Sequence, residues 1–79
     1  EYRGWAHYRL RQFGNALTAV NAALGATETG SRHYLRGLIF EAQGRDSAAL
    51  REYDWVLTWG RVYPYPFLRD VETRAEALR

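Results

Sequence analysis

The chain is predicted to be all-α, with about five helices arranged as antiparallel hairpins, and three observations lead there. Apolar residues recur at helical spacing in three segments. The sequence matches itself at an offset of 33 residues. The breaks between the periodic segments are short and carry glycine or polar capping residues rather than strand-like alternation.

The elements follow in order. Residues 1–11 and 31–43 read as the first helix of each of two pairs, and 13–24 and 46–59 as the second. In the second helix of the first pair, Phe13, Ala16, Leu17, Val20 and Leu24 fall on one helical face. Ala49, Leu50, Tyr53, Val56 and Leu57 do the same in the second pair. In the turn Gln43-Gly44-Arg45-Asp46, Gly44 is predicted to end one helix and Asp46 to cap the next. Residues 25–31, bounded by Gly25 and Gly30-Ser31, read as a polar linker, with Ser31 as N-cap. Connections this short force neighbouring helices to run antiparallel.

After Gly60 the pattern changes. The run Arg61-Val62-Tyr63-Pro64-Tyr65-Pro66 cannot be helical in its middle, because each proline drives the preceding residue into extended backbone. Pro66 suits the first position of a last helix over 66–78. Its apolar stripe is Phe67, Leu68, Val71, Ala75 and Leu78, and Asp70 and Arg74 pair on its polar side. The whole chain, 1–79, therefore reads as one domain: repeat one over 1–24, repeat two over 31–59, and a capping helix over 66–78.

The self-match pairs Arg3-Gly4 with Arg36-Gly37, Ala16-Leu17 with Ala49-Leu50, and Leu24 with Leu57. These are the small and apolar positions that two closely packed helices need. Residues 33–57 resemble a tetratricopeptide (TPR) motif, with Gly37, Phe40, Gly44, Ala49 and Tyr53 where the family carries Gly, Tyr, Gly, Ala and a large aromatic. Repeat one keeps Gly4, Phe13, Ala16 and Ala23 in register, but holds His7, Arg11 and Val20 at the first aromatic, hairpin glycine and second aromatic. His33 and Arg36 stand at the family's Trp and Leu positions, and neither repeat has the closing proline. The resemblance spans residues 1–59 and implies a fragment of a right-handed α-solenoid.

It also implies a function. In proteins similar to this one, the first helices of the repeats line a concave groove that receives a peptide. By register the groove positions are Glu1, Trp5, Tyr8 and Arg9 from repeat one, with Ser31, Tyr34, Leu38, Glu41 and Ala42 from repeat two. Trp5, Tyr8, Arg9, Tyr34, Leu38 and Glu41 are the expected partner-binding residues. They lack the Lys and Asn of a carboxylate clamp, so the expected ligand is a protein or peptide with apolar or aromatic side chains. Self-association through the groove or the apolar ends is the alternative. RNA binding is disfavoured: it would need Arg9, Arg11, Arg32, Arg36 and Arg45 on one face, and acids are interleaved among them.

Composition narrows the remaining classes. There is no cysteine and no lysine; all eleven basic side chains are Arg, against nine acids, for a net charge of +2. Disulfides, thiolate metal sites, Schiff-base lysines and the P-loop lysine are thereby excluded. His7 and His33 lack a third ligand at metal spacing, so no metal and no cofactor are expected. Ser31 and Ser47 read as caps and Asp46, Asp54 and Asp70 as caps or solvated faces, so no catalytic residues are assigned and the chain is not expected to be an enzyme. No apolar run approaches the roughly 20 residues of a membrane span. The chain opens on Glu1-Tyr2-Arg3 without Met or leader, which suggests a processed chain or a piece of a longer protein. A cytoplasmic setting is favoured.

A domain of this size buries only about 60% of its unfolded surface and has no staple. The aromatic run Tyr53, Trp55, Trp59, Tyr63, Tyr65 and Phe67 is therefore expected mainly to glue the last helix to repeat two. The second reading is a stacking platform for a proline-rich peptide, a sugar or a base.

Overall fold

A computed structural model describes residues 2–79. Among these residues five helices follow one another: α1 (Tyr2–Arg9), α2 (Phe13–Ala26), α3 (Gly30–Ala42), α4 (Asp46–Trp59) and α5 (Leu68–Leu78). Each packs on the next in the chain, and α1 also reaches α3. The three-residue connections 10–12, 27–29 and 43–45 leave no room for anything but antiparallel pairs.

The 33-residue offset is reproduced in the backbone. Gly44 (φ 74°) and Arg11 (φ 60°), 33 residues apart, are both left-handed. The residues after them, Arg45 and Gln12, share φ −93° and ψ 70°. Arg45 N donates to Phe40 O and Gln12 N to His7 O, both at 2.8 Å, while Gly44 N donates to Glu41 O at 3.0 Å and Arg11 N to Tyr8 O at 2.9 Å. This is the same Schellman turn made twice. Gly44 suits it; Arg11 occupies a conformation that costs a side-chain-bearing residue about 1 kcal/mol.

Several boundaries depart from the sequence reading, each for a local reason. The first helix stops at Arg9 instead of 11, because the Schellman turn begins there. The linker expected over 25–31 shrinks to Thr27–Thr29, since α2 continues through Gly25 to Ala26. Arg32 Nη1 donates to Ala23 O at 2.9 Å and to Thr27 O at 2.7 Å, closing the end of α2 with a cation where the helix dipole is negative. Thr29, not Ser31, caps α3: its backbone is extended and its Oγ1 accepts from Arg32 N at 3.2 Å. Asp46 is the first residue of α4 instead of its cap, and Arg45 at the cap makes no side-chain bond to the helix. Pro66 lies before α5, in a turn closed by Leu68 N donating to Tyr65 O at 3.1 Å. The second position of such a turn accepts the fixed φ of proline.

Two apolar clusters share α3 as a common wall. Leu35 and Ile39 face Ala16, Val20 and Leu24, with Trp5, Tyr8, Phe13 and Leu17 around them. On the other side Tyr34 and Phe40 border the cluster of Ala49, Tyr53, Val56, Val71 and Ala75. A helix that serves two cores must be small or apolar nearly all round, and α3 buries Gly30, His33, Leu35, Gly37, Leu38 and Ile39. Gly37 is required by its partner. A Cβ there would come 2.4 Å from Cε1 of the fully buried Tyr53 ring.

Two matched comparisons test these assignments. Arg11→Gly is expected to stabilise the domain by about 0.5–1 kcal/mol, and Gly44→Arg to destabilise it by about the same amount. For a chain of this size each corresponds to a shift of a few degrees in Tm, readable by circular dichroism. Gly37→Ala is expected to cost about 1–3 kcal/mol through overpacking. Gly14→Ala, in α2 with nothing within 4 Å of the new methyl, should gain up to about 1 kcal/mol.

Candidate binding surface

The residues assigned to a groove lie on α1 and α3 at helical spacing, and the structure treats them unequally. Glu1 lies outside the described residues. Trp5, Tyr8 and Tyr34 come together: the Trp5 ring is 6.3 Å from Tyr8, edge to face, and 6.0 Å from Tyr34. Tyr8 continues to Phe13 at 6.0 Å. Arg9 is exposed beside them, and it borders two open clefts. One, of about 400 Å3, is formed with Tyr2, Trp5 and Ala6. The other, of about 380 Å3, is formed with Tyr8, Arg11, Phe13 and Ala42.

Tyr34 and Glu41 turn instead toward the last helix. Phe67, at the start of α5, stacks on Tyr34 at 4.6 Å with the planes parallel to 1°. The Tyr34 hydroxyl donates to Asp70 Oδ2. Arg74 Nε donates to the same oxygen at 2.8 Å, and Arg74 Nη1 reaches Glu41 Oε1 at 3.3 Å. Glu41 also accepts from the Tyr53 hydroxyl at 2.7 Å. Leu38 is buried. Ser31 is half-buried within α3.

This connected set shifts its members in physically consistent directions. Burial, and then donation to Asp70, pushes the Tyr34 hydroxyl up to about 12. Burial, followed by the bond to Glu41, raises Tyr53 still further. For Asp70 burial alone would raise the pKa, but donation from Tyr34 and Arg74 outweighs it and holds the carboxyl below 3.8.

A second polar cluster centres on His33, which is buried. Its Nδ1 is 2.8 Å from Glu52 Oε1, and its Nε2 is 3.1 Å from Glu28 Oε1. Arg36 Nε lies 2.9 Å from the same Glu52 oxygen, with its N–H aimed off the hydrogen-bonding direction, so that contact is Coulombic. Burial would raise the Glu52 pKa; the neighbouring His33 and Arg36 outweigh it and keep it below 4.5. The two carboxylates sit at opposite nitrogens of the ring, so one metal ion could not meet all three groups. His7 is half-buried on α1, its Nδ1 2.6 Å from Gln12 Oε1.

The aromatic run near the C-terminus divides between core and surface. Tyr53 is fully buried and Trp55, Tyr65 and Phe67 are half-buried. Trp59 and Tyr63 keep 44% and 53% of their surface in solvent. Trp55 stacks on His33 at 4.0 Å. From it the rings run through Trp59, Tyr63, Tyr65 and Phe67 to Tyr34 and on to Trp5, each within about 6.3 Å of the next. Trp55, Trp59, Tyr63 and Tyr65, with Glu28, Thr29 and Gly30, line an open pocket of about 490 Å3.

Of the arginines weighed for RNA, Arg32 and Arg36 are engaged by backbone carbonyls, Asn21 and Glu52. Arg45 lies over Phe40 at 4.5 Å and Arg11 over Phe13 at 5.6 Å. No helix among the described residues is long and apolar enough to cross a membrane. The chain matches no protein-family model, no curated protein and no solved structure.

The depressed Glu52 and Asp70 fix the sign of the acid response. A carboxyl with a lower pKa in the fold than in the unfolded chain stabilises above its unfolded value, and that stability disappears as pH falls through the folded value. Tm is therefore expected to hold from neutral pH down to about 5 and to drop below about 4.5. Thermal melts across that range should show the acid limb flattened in Glu52→Gln, from a lower starting Tm.

Proposed function

We propose that this chain is a protein-binding domain built from TPR-like helix hairpins, acting by binding and not by catalysis. Its face for a protein or peptide ligand is centred on Trp5, Tyr8 and Arg9. The observation that carries this reading is the half-exposed Trp5–Tyr8 pair, with Arg9 between two open clefts. Trp, Tyr and Arg are the side chains that most often anchor interfaces, because they bury much area for little entropy and retain a polar handle. Of the other three residues expected at the groove, Tyr34 backs Trp5 and with Glu41 fixes α5, while Leu38 is buried.

Self-association is a second reading, and it rests on the exposed Tyr2 and Leu10 of α1. Tyr2 also borders an open depression of about 640 Å3 against α2, with His7, Ala19 and Ala22. Apolar side chains at the end of a repeat array favour a cover.

Light scattering over a range of concentrations separates the two. A monomer is expected. Peptides selected on the purified domain from a display library should then lose about 30-fold or more in affinity with Trp5→Ala, the size of an anchor truncation. Trp59→Ala should leave them unchanged. Selected peptides indifferent to Trp5 would remove the proposal. A concentration-dependent dimer dispersed by Leu10→Glu would replace it with self-association.

A further inference from the structure

The pocket of Trp55, Trp59, Tyr63 and Tyr65 is on a different part of the chain from the Trp5 face, and its chemistry differs. Four aromatic side chains and one carboxylate line it, and no arginine does. In a chain with eleven arginines that composition selects a sign of charge. An aromatic face carries a negative quadrupole. Four of them, with Glu28 at the rim, make a site that attracts a cation and has little to offer an anion.

The walls are prearranged. Tyr65 lies against the first residue of α3, where a Cβ in place of the Gly30 hydrogen would come 2.5 Å from the ring. Gly30 therefore lets the ring settle on backbone. Trp55 is backed by the His33 stack at 4.0 Å. The same imidazole, through Nε2, holds Glu28 Oε1 at 3.1 Å. One buried residue thus supports both an aromatic wall and the carboxylate, whose side chain remains 62% exposed. Trp59 and Tyr63 complete the row, with successive rings 5.8, 6.3 and 6.2 Å apart and tilted by 38°, 31° and 32°.

We propose that this pocket is a recognition site for a methylated ammonium group, with a trimethylammonium head seated among the four rings and Glu28 balancing its charge. A rounded cation sheathed in methyl groups meets π-faces on several sides without demanding hydrogen bonds. A guanidinium asks for a planar, two-pronged acceptor, and the one carboxylate here already has an oxygen committed to His33. A prolyl ring would use the aromatic walls and leave Glu28 without a role.

Choline and its neutral carbon isostere, 3,3-dimethylbutan-1-ol, are the first probes. The protein is the Trp5→Phe variant, in which Trp55 and Trp59 supply all the indole fluorescence. Choline is expected to saturate in the millimolar range, with its methyl proton resonances moved upfield by ring currents. The neutral isostere should bind about tenfold or more weakly, and Trp59→Ala and Glu28→Gln should each lower choline affinity about tenfold. Both changes are at exposed positions, and an unchanged melting curve verifies the fold. A short peptide carrying trimethyllysine, beside the same peptide with plain lysine, identifies the source. If it binds more tightly than choline the head belongs to a protein partner; if no better, to a small molecule. Equal affinity for the neutral isostere, for plain lysine or for N-butylguanidinium would overturn the proposal. So would absence of saturation by choline and by the trimethyllysine peptide below about 50 mM.

Discussion

Tyr53 lies in the groove left by Gly37, and the rest of the molecule is arranged around that contact. It is the largest fully buried side chain, so its ring supplies a large part of the apolar area that a domain of this size needs. Its hydroxyl cannot be buried without a partner, and Glu41 is that partner. A carboxylate drawn toward the core in this way calls for a cation, which α5 supplies as Arg74. Arg74 in turn holds Asp70, and Asp70 receives the Tyr34 hydroxyl. One tight approach between α3 and α4 thus specifies where a third helix must sit.

Docking α5 in that position changes what α3 offers to solvent. Tyr34 and Glu41, which face outward by register, are covered by Phe67, Asp70 and Arg74. The ion pairs are half-exposed and worth little individually; their importance is geometric, since they aim Phe67 flat onto Tyr34. That stack joins the rings of the C-terminal segment to Trp5 and Tyr8 on α1. A cysteine-free chain has in effect replaced staples by a continuous belt of rings, and the parts of the belt not needed for closure remain open as clefts.

What could be read in the sequence was whatever depends on periodicity. The helix count and the 33-residue offset follow from spacing, since packed helices impose it, whereas Gly37 and Tyr53 were singled out by the resemblance to a TPR motif. Arg11 was legible only as a departure, but its left-handed backbone shows the repeat geometry persisting where the residue type did not. The caps were harder: Ser31 and Thr29 have the same chemistry two residues apart, and the choice fell to the extended backbone at Thr29. Pro66 fits a turn as well as it fits a first helical residue. Nothing local signals that Arg74 will meet Glu41, 33 residues away in sequence. That contact depends on the angle at which α5 returns, and on the eight residues between Trp59 and Leu68 that set it. The pocket beside Glu28 is equally non-local, because the short linker before α3 meets the loop after α4 only in the folded chain.

The same economy accounts for the two kinds of aromatic residue. Tyr53, Trp55, Tyr65 and Phe67 are each fixed by something specific: Gly37, His33, Gly30 and Tyr34 respectively. Trp59 and Tyr63 lie tilted at 5.8–6.3 Å from neighbouring rings and keep about half their surface in water. A ring that closes a core loses solvent contact on both faces, whereas these stay exposed beside a carboxylate held from within by His33. Burial against these partners accounts for the placement of the first group, of which Trp55 and Tyr65 also line the pocket. It leaves the exposed faces of the second without a structural role, and a ligand that meets π-surface and Glu28 together would supply one.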